Sequence, residues 1–198
     1  MKTHLMKTHL MKTLNRPRLR LPATAARLAG ALVISLVSSA CVLPSTESRP
    51  PQVEVRAADP GAFRYGSTGA EVLGHPEVGP RVRALFGRDW TAAAPAQGGT
   101  AIPAEDVFRQ VGLPQMLRVG DVEHIAVTGC TPGACRTQRG LLLIRSDGQE
   151  LRARIDEGGF THHYAFGAGL AMDVANRLLV DGAWMALAAT PGAWAGGR

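Results

Sequence analysis

The pair Cys130 and Cys135, set between two runs of strand-forming residues, constrains this chain more than any other feature. Upstream, 122–128 (VEHIAVT) alternates, with Val122, His124, Ala126 and Thr128 on one face and Ile125 and Val127 on the other. Downstream, 140–145 (GLLLIR) is a continuous apolar run, the pattern of a strand covered on both faces. Between the cysteines, Pro132-Gly133 suits a type II turn, because Pro presets φ and Gly supplies a positive one. Such a turn brings strand ends together, so the expectation is a Cys130–Cys135 disulfide closing a hairpin loop. A redox or metal role is the alternative. Redox motifs usually carry two residues between the sulfurs, whereas here Thr131, Pro132, Gly133 and Ala134 intervene, and His124 is the one close histidine.

The surrounding pattern predicts an α+β domain over 62–190, an antiparallel sheet of about five strands flanked by helices. Val78, Val82, Leu85 and Phe86 share one helical face, with Pro80 tolerable only in a first turn, so a helix should run from about Gly79 to Gly87. Strands are expected over 116–119, 122–128, 140–145, 150–155 and 160–166, separated by Gly120-Asp121, Asp147-Gly148 and Gly158-Gly159. A second helix is expected over 170–180 with Leu170, Val174, Arg177 and Leu178 on its stripe, ended by Asp181-Gly182. The apolar run 183–189 is read as a last strand, with a buried helix as the alternative, and 191–198 as a tail.

Residues 1–40 read as a signal peptide: a basic stretch, an apolar core at 28–37 (LAGALVISLV), then Ser38, Ser39 and Ala40 before Cys41. The pentapeptide MKTHL occurs twice before Met11, which leaves Met1 and Met11 open as starts. Ser38-Ser39-Ala40-Cys41 resembles a bacterial lipobox, which implies lipidation of Cys41; ordinary cleavage before Cys41 is the alternative. Lipidation would occupy the cysteine that a Cys130–Cys135 pair leaves over. Val42 after the Cys resembles lipoproteins sorted to the outer membrane, anchored there by their acyl chains and facing the periplasm. Residues 41–61, rich in Pro, Ser and Glu, are expected to form a flexible tether.

The leader also explains the charge. Seven of the 22 Lys and Arg lie in 1–40 and none of the 16 Asp and Glu, so 41–198 holds 15 basic against 16 acidic residues. A near-neutral folded part lacks the basic footprint of a nucleic-acid binder.

The stretch 119–144 (VGDVEHIAVTGCTPGACRTQRGLLLI) resembles the central hairpin of the periplasmic inhibitor of vertebrate lysozyme family. The matching features are Gly120-Asp121, the C-x-P-x-x-C of Cys130, Pro132 and Cys135, Gln138-Arg139, and the apolar run 141–144. The resemblance implies a non-enzymatic protein whose disulfide-closed loop plugs a lysozyme cleft, and it leaves a homodimer open. The loop departs from the family's Lys, His and Asp, with Thr131, Gly133 and Ala134 in their places, so it offers no charge to a carboxylate. Arg136 and Arg139 flank it. The expected binding loop is therefore Cys130, Thr131, Pro132, Gly133, Ala134, Cys135, Arg136 and Arg139, and the partner a lysozyme or other glycoside hydrolase. A structural or assembly role as an outer-membrane lipoprotein is the alternative.

No catalytic constellation stands out. Gly66-Ser67-Thr68-Gly69 lacks the Lys of a phosphate loop, and no G-x-S-x-G occurs. His162 and His163 are adjacent in a strand and so face opposite ways, which disfavours a shared metal with Glu157 or His75. No cofactor and no metal are assigned.

Overall fold

A computed structural model describes residues 51–56, 58–92 and 98–194, all within one unit spanning 45–198. The leader, Cys41, most of the tether's first half and 195–198 lie outside the described residues.

Among the described residues, seven antiparallel strands form one sheet: β1 (Val53–Arg56), β2 (Gln110–Val111), β3 (Gln115–Val119), β4 (Val122–Cys130), β5 (Gln138–Arg145), β6 (Leu151–Glu157) and β7 (Phe160–Phe166). Their order is β1-β3-β4-β5-β6-β7, with β2 paired to the end of β4 beyond β3. The helices are α1 (Gly69–Gly74), α2 (Gly79–Phe86), α3 (Ala104–Val107) and α4 (Val174–Ala188). The α+β class and the five expected strands stand. The two additional strands are short: β1 is an edge, and β2 is the first half of a line that Pro114 interrupts before β3.

Helices cover both faces of the sheet. On one face Val72, Val82, Phe86, Val107 and Phe108 pack against Ile125, Val127, Leu142, Ile144, Leu151, Ala153 and Ile155. On the other, Val180, Ala183, Trp184 and Leu187 of α4 pack against Leu117, Ala126, Leu141 and Leu143. This double cover is why β5 reads as an unbroken apolar run: Leu141, Leu142, Leu143 and Ile144 are all fully buried. Gly129 and Gly140 are cross-strand partners, and a Cβ at either would lie within 2.8 Å of the Phe108 ring or the Val107 backbone and side chain. Their bare backbone lets α3 lie flat on the sheet beside Cys130.

Several expectations are corrected. The 170–180 helix does not end at Asp181-Gly182, and 183–189 is not a strand; both belong to α4, which starts after the N-cap Asp173. The buried stripe is Val180, Ala183, Trp184 and Leu187, while Val174 is 68% exposed. A mid-helix glycine costs about 1 kcal/mol, less than burying that stripe returns. Gly182 also lies where α4 passes the Val53 side chain and the Pro51 carbonyl.

The tether over 41–61 is ordered in its second half: Val53 and Val55 pack under α4 as part of β1, and Asp59 caps a 3-10 turn over Pro60–Phe63. Alternating Val-Glu-Val-Arg supplied a one-sided strand that the Pro-rich surroundings obscured. The tail is docked as far as 194: Ala193 is buried, its carbonyl accepts from Thr128 Oγ1 (2.9 Å), and Trp194 packs on Trp184.

Candidate functional site

The β4–β5 hairpin carries the candidate loop at one end of the sheet. Cys130 and Cys135 form a disulfide with Cα atoms 4.8 Å apart, and Cys130 is fully buried. Within the ring, the Ala134 N–H donates to the Thr131 carbonyl (2.9 Å) and Gly133 has φ +80°, as a type II turn centred on Pro132-Gly133 requires. A second turn follows: the N–H groups of Thr137 and Gln138 both donate to the Ala134 carbonyl, at 3.0 and 2.9 Å. The Thr131 N–H donates to the Gln138 carbonyl (3.2 Å), closing the ladder over the disulfide. The loop is thus held by one covalent and several backbone bonds.

The predicted site residues separate into two groups. Pro132, Gly133 and Arg136 are exposed at the tip. Thr131, Ala134, Cys135 and Arg139 are half-buried. The Thr131 hydroxyl is turned inward and has no hydrogen-bond partner among the described residues, so it is not displayed. Arg139 was expected to flank the loop as a second reaching cation. Its guanidinium instead lies 5.3 Å from the Trp184 ring centre and 4.9 Å from that of Trp194. Arg154 stacks on Trp184 at 4.3 Å, so that indole lies against two guanidiniums, each attracted to its π face. Arg139 therefore braces α4 and the docked 191–194 segment beneath the loop. Arg136 makes no ion pair among the described residues.

The loop also touches the next hairpin. The Gly158 N–H donates to the Thr137 carbonyl (3.1 Å), tying the β6–β7 turn to the loop's base. Gly158 (φ +57°) and Gly159 (φ +100°) are the two central residues of a two-residue hairpin whose geometry demands positive φ at both. Directly after them comes Phe160, 73% exposed. The sequence marks the Gly-Gly turn and the strand but not the display of Phe160. A residue at the β6–β7 tip lies beyond the covering helices, a fact that no local pattern encodes.

The histidines are engaged singly. His162 Nε2 lies 2.9 Å from Glu157 Oε1, which also accepts from the Ala101 N–H (2.6 Å). His163 Nε2 lies 2.8 Å from Asp181 Oδ1, on the opposite face, where Arg154 also binds Asp181 and Asp156. His75 stacks edge-on to Tyr65. No cluster of three or more metal-ligating side chains exists among the described residues.

His124 is buried under α4's face of the sheet, its Nδ1 without a hydrogen-bond partner among the described residues, and burial together with the Arg152 charge pushes its pKa down to about 4. It lies six residues along β4 from Cys130, about 20 Å away, and shares no site with the disulfide. A cleft of about 240 Å³ beside β7 is lined by Asp89, Thr161, His162, His163, Tyr164 and Arg177. There the Tyr164 hydroxyl donates to Asp89 (3.0 Å), and burial with that carboxylate raises its pKa. Among the described residues no helix is long and apolar enough to cross a membrane.

No family model matches this chain, and neither a curated protein nor a solved structure matches it.

Proposed function

We propose that the chain is an exported, lipid-anchored, non-enzymatic binding protein of the bacterial envelope, similar to the vertebrate-lysozyme inhibitors. In this reading the loop 130–135 enters the cleft of a lysozyme or other glycoside hydrolase. The observation that carries it is the disulfide-closed, doubly turned loop projecting Pro132 and Gly133 from the end of the sheet. A loop fixed before contact loses little conformational entropy on binding, so more of the contact energy appears as affinity. A glycosidase cleft works with two carboxylates, and Arg136 is the cation at hand.

Val53 pairs with Val119, at the end of the sheet opposite Cys130. The described chain therefore enters the sheet about 30 Å from the loop, the length of the nine-residue β4.

The test is titration of the protein, expressed from its full sequence, against chicken-type, goose-type and bacterial lysozymes. Saturable inhibition that is lost on Pro132→Ala combined with Gly133→Asp is expected. No inhibition by a protein with its disulfide intact and a cooperative melt would overturn the reading in favour of an assembly role.

A further inference from the structure

We infer that β7 is a dimerisation edge: a second copy of this chain adds to it antiparallel, about a two-fold axis at His163, and joins the two sheets into one. The inference concerns the edge of the sheet and stands apart from the role proposed for the loop.

The backbone of β7 asks for another strand. β6 and β7 meet in a two-residue hairpin, so Glu157 and Phe160 form a hydrogen-bonded pair, and such pairs recur at every second residue. The N–H and C=O groups of Phe160, His162, Tyr164 and Phe166 therefore turn inward to β6, and those of Thr161, His163 and Ala165 turn outward. None of these six outward groups makes a hydrogen bond among the described residues. The edge also borders open space along its length: clefts of about 240 and 380 Å³ are lined in part by 161–164 and by 165–167. A row of alternating donors and acceptors is met in full by the edge of a further strand.

β7 also lacks the features that keep an edge single. It is seven residues long and holds no Asp, Glu, Lys, Arg or Pro, whereas β1, at the other edge, is four residues long and carries Glu54 and Arg56. The side chains select which strand fits. Phe160, Thr161, His162, His163, Tyr164, Ala165 and Phe166 follow the same order of large, small and ring-bearing residues from either end. An antiparallel copy centred on His163 sets Phe160 opposite the partner's Phe166, Thr161 opposite the partner's Ala165 and His162 opposite the partner's Tyr164. Such an axis must fall on a residue whose backbone points outward, and His163 is the middle one of three. Phe160, 73% exposed, is then covered by a half-buried phenyl ring on the same face of the sheet. The pairing keeps the side-chain bonds already made: His162 with Glu157 and Tyr164 with Asp89 on that face, His163 with Asp181 on the other.

The experiment reads protein mass by light scattering in detergent, for the protein expressed from its full sequence and for Ala165→Pro, Phe160→Ser and Val174→Ser. A dimer is expected for the parent and for Val174→Ser, an exposed apolar change on α4. Ala165→Pro removes one outward N–H, a change that an edge strand tolerates, and should give a monomer. Phe160→Ser should weaken the dimer roughly ten-fold, with the melting temperature of the monomer unchanged. Under mild oxidation His163→Cys should couple to its own copy, because Cα atoms across a hydrogen-bonded pair are about 5.5 Å apart. Thr161→Cys, about 13 Å from its counterpart in this register, should not. A parent that stays monomeric at about 100 μM, a dimer untouched by both Ala165→Pro and Phe160→Ser, or coupling at Thr161→Cys in place of His163→Cys would overturn the inference. Each of these leaves the proposed function of the loop as it stands.

Discussion

The two ends of the sheet use their polar groups in opposite ways. At the end of the β3–β4 and β5–β6 turns, charges are matched internally. Arg145 grips Asp147 and Glu150, Arg56 reaches Glu123, and Arg64 and Arg81 bond the carbonyls of Ser146 and Gly148. A shallow cleft of about 470 Å³ there is lined by Arg56, Glu123, Arg145 and Asp147 together with Arg118 and Asp121. At the other end the backbone is locked by a disulfide and two tight turns, while Phe160, Pro132 and Arg136 face water without partners among the described residues. A turn whose side chains are spent on its own neighbours has little left for a second molecule. A turn fixed through its backbone keeps its side chains available, and that contrast is why the second end is the one proposed for binding.

The contrast can be broken most forcefully from beneath. Trp184 is nearly buried and holds Arg139 and Arg154 in place, so Trp184→Ala should cost about 3–5 kcal/mol of stability by denaturant titration. It should also loosen the 191–194 segment, read as faster amide exchange at Ala193.

Removing the disulfide by Cys130→Ser and Cys135→Ser together tests whether the locked end needs its bond. A ring this small should contribute about 2 kcal/mol, so the double variant should stay folded with a lower midpoint. Global unfolding at room temperature would show that the loop nucleates the hairpin.

Between the ends lies His124. Its folded pKa of about 4 is below the unfolded value, so the unfolded state binds the extra proton between the two. Stability should therefore be complete above about pH 6.5 and fall as pH drops toward 4, by at most about 1.4 kcal/mol per pH unit. A His124→Gln variant should show a flatter dependence over that window in pH-resolved melts.

The smallest effect belongs to the charge-matched end. The Arg145 guanidinium holds the Asp147 carboxyl down at about 2. Arg145→Ala should return that carboxyl to the usual range near 4, seen by carbon-detected NMR titration, with the loop end unchanged. A shift at Gly133 or Phe160 in the same spectra would mean that the two ends are coupled.

Much of the fold was legible because it is written in short-range patterns. The period-two alternation of 151–155, the apolar run of β5 and the Gly-Asp, Asp-Gly and Gly-Gly turns each specify a strand or its end, and the type II turn in the ring followed from Pro132-Gly133 alone. The candidate loop was legible for the same reason. Phe160 was not, because exposure depends on where α2 and α3 stop covering the sheet. Nor was the role of Arg139, since the indoles it meets lie 45 and 55 positions further along the chain.

By itself, then, the sequence determined the antiparallel hairpins, the helix begun at Gly79-Pro80 and the site of the disulfide, because turn chemistry and side-chain periodicity act within a few residues. The tertiary structure decided what long-range packing alone can decide. It carried α4 straight through Asp181-Gly182, because a stripe of Val180, Ala183, Trp184 and Leu187 had a sheet face to cover. It drew Val53–Arg56 out of a Pro-rich stretch onto the edge of that sheet. And it left Phe160 in water beside the loop, since the covering layers end before the β6–β7 tip does.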